Sequence, residues 1–289
     1  MMTIEKSMIE AMKKRSSIRS YDETKPISVS DLDYIDEYIN EKTNFVGPFQ
    51  LQGAVELVQV KNDVSEKGTK LGTYGFIKNH HAYLVGISEN NKDALIDFGY
   101  CFEKMILMLT LREIGTCWLG GTFNRNSFSK EVTIPENNFI PCITPIGYEK
   151  EKKRFFDKAL RYVVKADGRK DWSELFFNIG FDRPLAKDEA GPLSEALEMV
   201  QIGPSASNKQ PWRLLLSEDH NVCHFYIEHT PGYSSKLGYT MQYLDLGIAM
   251  SHFEYACKEK GMLGEWSKGE PNIDAPNDHF EYIATWKNK

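Results

Sequence analysis

DFGYCFEKMILMLTLREIGTCW at residues 97–118 and DLGIAMSHFEYACKEKGMLGEW at residues 245–266 are runs of equal length that open on Asp-x-Gly and close on Trp. An offset of 148 (245 minus 97) carries Asp97 onto Asp245, Gly99 onto Gly247 and Trp118 onto Trp266 without a gap. Ahead of them, Val46-Gly47-Pro48 is echoed by Ile202-Gly203-Pro204 at an offset of 156 (202 minus 46). A period this long is no solenoid module; it points to a two-fold duplication in which each half repeats one loop and one long helix.

Working outward, residues 93–114 are apolar on most sides, with Leu95, Phe98, Phe102, Met105, Ile106 and Leu109, and predict a helix at the centre of a core. Residues 241–260 predict its partner in the second half. Ile4, Met8 and Met12 at four-residue spacing predict a short amphipathic helix that runs out at Arg15-Ser16-Ser17. A second helix starts at Ser28 or Ser30 and buries Leu32, Ile35 and Ile39. Strands are expected at 54–60, 82–87, 213–217, 222–228 and 280–286, and another helix at 193–200. Helices mixed with mostly hairpin-connected strands give an α+β class rather than a doubly wound parallel sheet.

The 289 residues, 41% hydrophobic and 12% aromatic, are enough for a large core. A formal charge of -6 provides no general basic field, so nucleic acid is not an expected partner. Cys101, Cys117, Cys142, Cys223 and Cys257 are odd in number and never in a CxxC pair, which suits a reducing, cytoplasmic setting. The apolar run Met105–Leu111 is far short of the ~20 residues that span a bilayer, and no membrane association or signal segment is expected.

Two stretches carry chemistry. Arg15-Ser16-Ser17-Ile18-Arg19-Ser20-Tyr21 sets two guanidinium groups four residues apart with hydroxyls between, a donor set that can converge on a phosphate. The same run also reads as a solvated basic turn closing a helix whose C-terminal dipole favours cations. Gly203-Pro204-Ser205-Ala206-Ser207-Asn208-Lys209-Gln210-Pro211-Trp212 follows a helix and precedes a strand. Pro204 fixes the chain, the small side chains of 205–207 let backbone N–H groups approach a flat ligand, and Asn208 offers both donor and acceptor to a pyrimidine-like edge. The adjacent His80 and His81 point apart, and His220 with His224 lacks an HExxH context, so no metal site is expected. No GxSxG elbow or GxGxxG fingerprint occurs, which leaves a Ser-His-Asp hydrolase and a resident dinucleotide without support. Charge runs such as 149–154 read as a solvated face.

RSSIRSY at 15–21 and PSASNKQPW at 204–212 resemble the two most recognisable motifs of the nitroreductase family of FMN enzymes. GTCWLGG at 115–121 resembles a third, and ITPIGY at 143–148 with GRKDWSELFF at 168–177 resembles the family's closing segment. An ordinary member is about two thirds as long and forms a homodimer with flavins at its interface. Here the Arg motif lies in one half and the Pro-Ser-Asn loop in the other, whereas Gly47-Pro48-Phe49-Gln50-Leu51 stands where the first half's loop would be. This resembles the single-chain subgroup, the TM nitroreductases, in which one polypeptide corresponds to the whole dimer.

The resemblance implies a nitroreductase-like, internally duplicated α+β pseudo-dimer with halves 1–180 and 181–289 and one FMN site at their interface. Arg15, Ser16, Ser17 and Arg19 would hold the phosphate and the pyrimidine end together with Pro204, Ser205, Ser207 and Asn208, and Arg169 and Lys170 would add positive charge. Leu119, Gly120 and Gly121 would run beside the flavin N5, and Tyr74-Gly75-Phe76 would line the other ring edge. No side chain need act as acid or base. The implied activity takes NADH or NADPH as transient donor and reduces a small nitroaromatic or quinone-like acceptor, the chain acting as a monomer. The alternative is a flavin carrier or redox sensor with little turnover, because a flavin cradle does not fix a substrate.

Overall fold

A computed structural model describes residues 7–60, 77–150, 168–269 and 271–289. The chain divides into two compact units, Lys14–Tyr162 and Met1–Lys13 with Val163–Lys289.

In the first unit, helix α2 (Val29–Asn40) starts where Ser28 Oγ accepts the Asp31 N–H at 3.2 Å, and it buries Ile35 and Tyr38. Leu32 and Ile39, expected inside, are only half-buried, because Tyr38 takes the core position edge-on to Phe45 with ring centroids 5.9 Å apart. Strands β1 (Ala54–Gln59) and β2 (Ala82–Glu89) pair antiparallel. Helix α3 (Lys92–Leu111) follows, its first turn held by Asn91 Oδ1 accepting the Ala94 N–H at 2.9 Å. The helix ends three residues before the expected 114, since Glu113 turns left-handed at φ 62° and sends Ile114–Thr116 off as strand β3. Two-residue β4 (Asn138–Phe139) flanks β2, and β5 (Ile143–Tyr148) completes the sheet in the order β1-β2-β5-β3.

The second unit repeats the plan. Strands β6 (Phe176–Asn178) and β7 (Gly180–Pro184) precede helix α4 (Ser194–Ile202); β8 (Trp212–Leu216) and β9 (Val222–Glu228) lead into the long helix α5 (Gln242–Glu259), and β10 (Gly264–Ser267) and β11 (Phe280–Asn288) close it. Its sheet runs β7-β6-β8-β9-β11-β10, so β8-β9-β11-β10 has the order of β1-β2-β5-β3. The duplication is therefore visible as topology, and hairpin-type antiparallel pairing holds throughout except between β6 and β8, which are parallel. Both long helices are buried along most of their length, as their apolar pattern requires. Each closing tryptophan is tied back to its helix: Trp118 Nε1 donates to Glu103 at 2.7 Å, and Trp266 Nε1 to Glu254 at 2.6 Å.

The division differs from the expected boundary at 180 in two places. Phe176–Asn178 belongs to the second sheet, Phe176 lying opposite Leu214, so the second unit starts well before 181. Helix α1 (Met8–Lys14) is bonded to the second unit as well, through the Ile9 N–H on Glu259 at 3.1 Å and Lys13 on Glu195 at 2.9 Å. Among the described residues no helix is long and apolar enough to cross a membrane.

Candidate functional site

In the first unit the Arg-Ser motif leaves α1 as extended chain and lies along β3. The Ile18 N–H reaches Thr116 O at 2.8 Å, the Lys78 N–H reaches Arg19 O at 3.0 Å and the Tyr21 N–H reaches Lys78 O at 3.1 Å. Buried Tyr21 locks the strip by donating its hydroxyl proton to Ile18 O at 2.8 Å and Pro145 O at 3.1 Å. Ile18 packs so tightly on Gly115 that a Cβ there would lie 2.9 Å from its Cγ1. Two of the expected segments, 15–21 and 115–121, are thereby brought side by side. Ile18 and Tyr21 point inward, while Arg19 is exposed and Ser16 and Ser17 are half-exposed.

Arg15 behaves differently from Arg19. It is 4% exposed, and its Nε lies 3.8 Å from the fully buried Glu103, the acceptor for Trp118. Its charge is thus tied into the core behind the strip. Leu119 is buried, and its N–H and C=O both pair with Ile143, at 3.0 and 2.9 Å. The Leu119 N–H is therefore already used within the sheet; Gly120, half-exposed, and Gly121, exposed, carry no side chain there. Gly120 O accepts from Arg125 at 2.6 Å, which fixes the turn. Burial pushes the Cys117 thiol up, with Arg19, Ser17 and Arg15 pulling the other way. Gly75, with Tyr74 and Phe76, lies outside the described residues.

In the second unit the loop after α4 is wound into an unusual backbone. Ser207, Asn208 and Gln210 have φ of 49°, 55° and 47°. Asparagine tolerates the left-handed region, but serine and glutamine adopt it at a cost on the order of 1 kcal/mol each. The surroundings over-determine the loop. The Gln210 N–H donates to Ser205 Oγ at 2.9 Å, the Asn208 N–H to Ser205 O at 3.0 Å and the Ala206 N–H to Asp245 at 2.9 Å. Gln210, 1% exposed, is the organiser: its amide donates to Asn208 O at 3.1 Å and accepts the Lys170 N–H at 3.0 Å, while its own carbonyl receives Arg213 at 2.9 Å. Asn208 Nδ2 bonds to Gly168 O. Segments 168–177 and 204–212 are thus joined, and Ser207, Asn208 and Lys209 are left exposed, with the Tyr233 hydroxyl on Ser207 Oγ at 2.9 Å.

Arg169, expected to offer charge to a phosphate, is otherwise engaged. Its guanidinium caps the end of α4, donating to Ile202 O at 2.8 Å and to Gly203 O. Lys170 lies 3.9 Å from Glu228, the carboxylate that also binds Arg213; burial, followed by the Arg213 charge, holds the Lys170 amine below its usual range. Sequence reasoning missed Gln210, Arg213 and Tyr233, whose partners lie across turns that no spacing reveals. Asp245 entered only as half of an echo; burial pushes its carboxyl up to about 7.

Among the described residues no group of three or more His, Cys, Asp or Glu stands together as metal ligands would. His81 Nε2 is bonded to Asp22 O at 2.9 Å, and burial lowers His80 to about 4.

A "putative nitroreductase" from Thermotoga maritima has a similar structure, with a TM-score of 0.57 at 18% identity, covering 98% of this chain and 93% of that one. Smaller nitroreductase family proteins cover half of the chain. One from Clostridium novyi has 22% identity over 51% of this chain and 89% of its own, with a TM-score of 0.39. One from Bacteroides fragilis, described with bound FMN, has 21% identity over 50% and 90%, with a TM-score of 0.37. No curated protein matches the sequence. The family model described as "Putative TM nitroreductase" matches residues 7–257, and the chain belongs to that family.

Proposed function

We propose that the chain is an FMN-dependent oxidoreductase, and that Arg19, Ser16 and Ser17 of one half and Ser205, Ser207 and Asn208 of the other serve a single flavin. The observation that carries this reading is the Ser205–Gln210 loop: three non-glycine residues held left-handed with exposed Ser207 and Asn208 side chains is a costly conformation that tends to persist where a ligand makes use of it. The donor chemistry fits the group. An exposed guanidinium flanked by hydroxyls suits a phosphate, an amide beside a hydroxyl suits the N and O edge of a pyrimidine ring, and Gly120-Gly121 leaves room beside a flat system. Further support is the complementary loss of motifs, since neither half retains both.

Bound FMN would supply the two-electron chemistry, with NADH or NADPH as donor and a small nitroaromatic or quinone-like compound as acceptor. Arg19 neutralises phosphate charge; Arg15, tied to Glu103, stiffens the strip beneath it. Arg169 holds the end of α4, which sets where Pro204 and Ser205 begin the loop. Gln210 fixes the loop from inside, and Lys170 adds charge at its edge. The setting proposed is the cytoplasm, with one chain sufficient and no nucleic acid or membrane engaged; five free, buried cysteines are compatible with it.

The test is spectroscopic. The full chain loaded with FMN is mixed anaerobically with NADH or NADPH, and then with a nitroarene or quinone panel. The yellow bands should bleach with one nicotinamide and return with acceptor. Flavin that binds and stays oxidised with both would make the chain a carrier rather than a catalyst.

A further inference from the structure

Asp245 lies in the first turn of α5, beneath the loop. It is 3% exposed; one carboxyl oxygen accepts the Ala206 N–H at 2.9 Å, and the other has no partner among the described residues. Its counterpart Asp97 is surrounded by donors: the Phe49 N–H reaches both oxygens, at 2.9 and 3.1 Å, and the Leu51 N–H reaches one at 2.9 Å. The two aspartates occupy the same place in the repeat, so the difference comes from the loops above them.

A carboxylate sealed from water with one N–H donor and no cation has little to hold its charge, whereas the neutral acid costs far less to bury. The charged and titratable groups around the loop do not supply the deficit. Tyr233 comes from the turn after β9 and is bonded to Ser207; Lys209 on the loop stands 5.7 Å from the Tyr233 ring; Arg169 is on the α4 carbonyls; His252, further along α5, is bonded to Met199 O at 2.8 Å. Burial is the dominant cause that brings the Asp245 pKa to about 7, and the Ala206 N–H opposes it.

We infer that Asp245 is a positioning residue, which as an uncharged carboxylic acid holds the Ser205–Gln210 loop in its ligand-ready shape through the single N–H of Ala206. The ligand part of this inference rests on the flavin reading above; the loop part does not. A carboxyl with its folded pKa raised above the ordinary 3.8 contributes stability that is complete below about pH 4, is lost as pH rises toward about 7, and stays lost above. The amide of an Asp245→Asn variant cannot ionise and accepts the same N–H, so that variant escapes the loss.

The experiment compares the full-length wild type, Asp245→Asn and Asp245→Ala at pH 5 and pH 8. Thermal midpoints are measured without flavin, and FMN affinity by quenching of flavin fluorescence. The advantage of Asp245→Asn over wild type should grow by several degrees from pH 5 to pH 8, and its FMN affinity at pH 5 should stay within about threefold of wild type, while Asp245→Ala loses about tenfold or more. A midpoint difference that is the same at both pH values, or an Asp245→Asn variant as weak for FMN as Asp245→Ala, overturns the inference. If the wild type takes up no FMN at either pH, the flavin reading fails, and the midpoints alone decide whether Asp245 holds the loop as an acid.

Discussion

The two Gly-Pro loops start alike and end differently. After Gly47-Pro48 the first half continues with Phe49-Gln50-Leu51, and two of its N–H groups close on Asp97. After Gly203-Pro204 the second half continues with Ser205-Ala206-Ser207-Asn208; only one N–H returns to its aspartate, and three residues are bent left-handed, against Gln50 alone in the first loop, which leaves the Ser207 and Asn208 side chains outside. One copy of a duplicated scaffold has been sealed, and the other kept open and polar. A duplicated fold can divide labour in this way, because the helix, sheet order and tryptophan tie that hold each loop are the same in both halves.

This comparison can be broken by mutation, most sharply at the glycines. A Cβ at Gly47 would lie 2.4 Å from the Asp97 side chain, whereas one at Gly203 would first meet Val200 O at 3.0 Å. Gly47→Ala should cost about 3 kcal/mol in urea unfolding and Gly203→Ala about 1 kcal/mol or less; equal costs would mean the first loop is not sealed as described. Gln210→Ala comes next, at about 2 kcal/mol, because it removes a buried amide that accepts the half-buried Lys170 N–H and donates to Asn208 O, two of the bonds holding the open loop. Gln50→Ala, at an exposed position in the sealed loop, should fall within about 0.5 kcal/mol. The smallest difference between the two halves concerns the tryptophan ties. Trp118→Phe removes a donor from Glu103, which is fully buried with the Arg15 Nε 3.8 Å away, and should cost about 2 kcal/mol; Trp266→Phe leaves the less buried Glu254 paired with Lys258 at 2.5 Å and should cost about 1 kcal/mol.

Much of the fold was legible because it is written in periodicity. The 148-residue echo marks two helices that must be buried on most sides, and apolar runs with β-branched residues mark the strands beside them. What was not legible depends on partners far away in sequence. Three residues, Phe176–Asn178, are too few to announce a strand, yet they add to the second sheet and move the boundary back from 180. The motif residues of the candidate site were found by type, but type does not say which polar groups are already used: Arg15 serves Glu103, Arg169 serves two carbonyls, and the Leu119 N–H serves Ile143. Gln210 stood out in the sequence only as part of the Gly203–Trp212 run, and its bonds to Ser205, Asn208, Lys170, Gly168 and Arg213 depend on chain brought in from elsewhere.

If one open loop and one Arg-Ser strip per chain serve one flavin, FMN stoichiometry by titration of wild type, Arg19→Ala and Asn208→Ala will show it. One FMN per wild-type chain is expected, with an affinity reduced about tenfold or more in each variant; the thermal midpoint of Arg19→Ala should be little changed, and Asn208→Ala, which gives up its bond to Gly168 O, should stay folded at the titration temperature. Two FMN per chain, or binding that ignores either substitution, would contradict it.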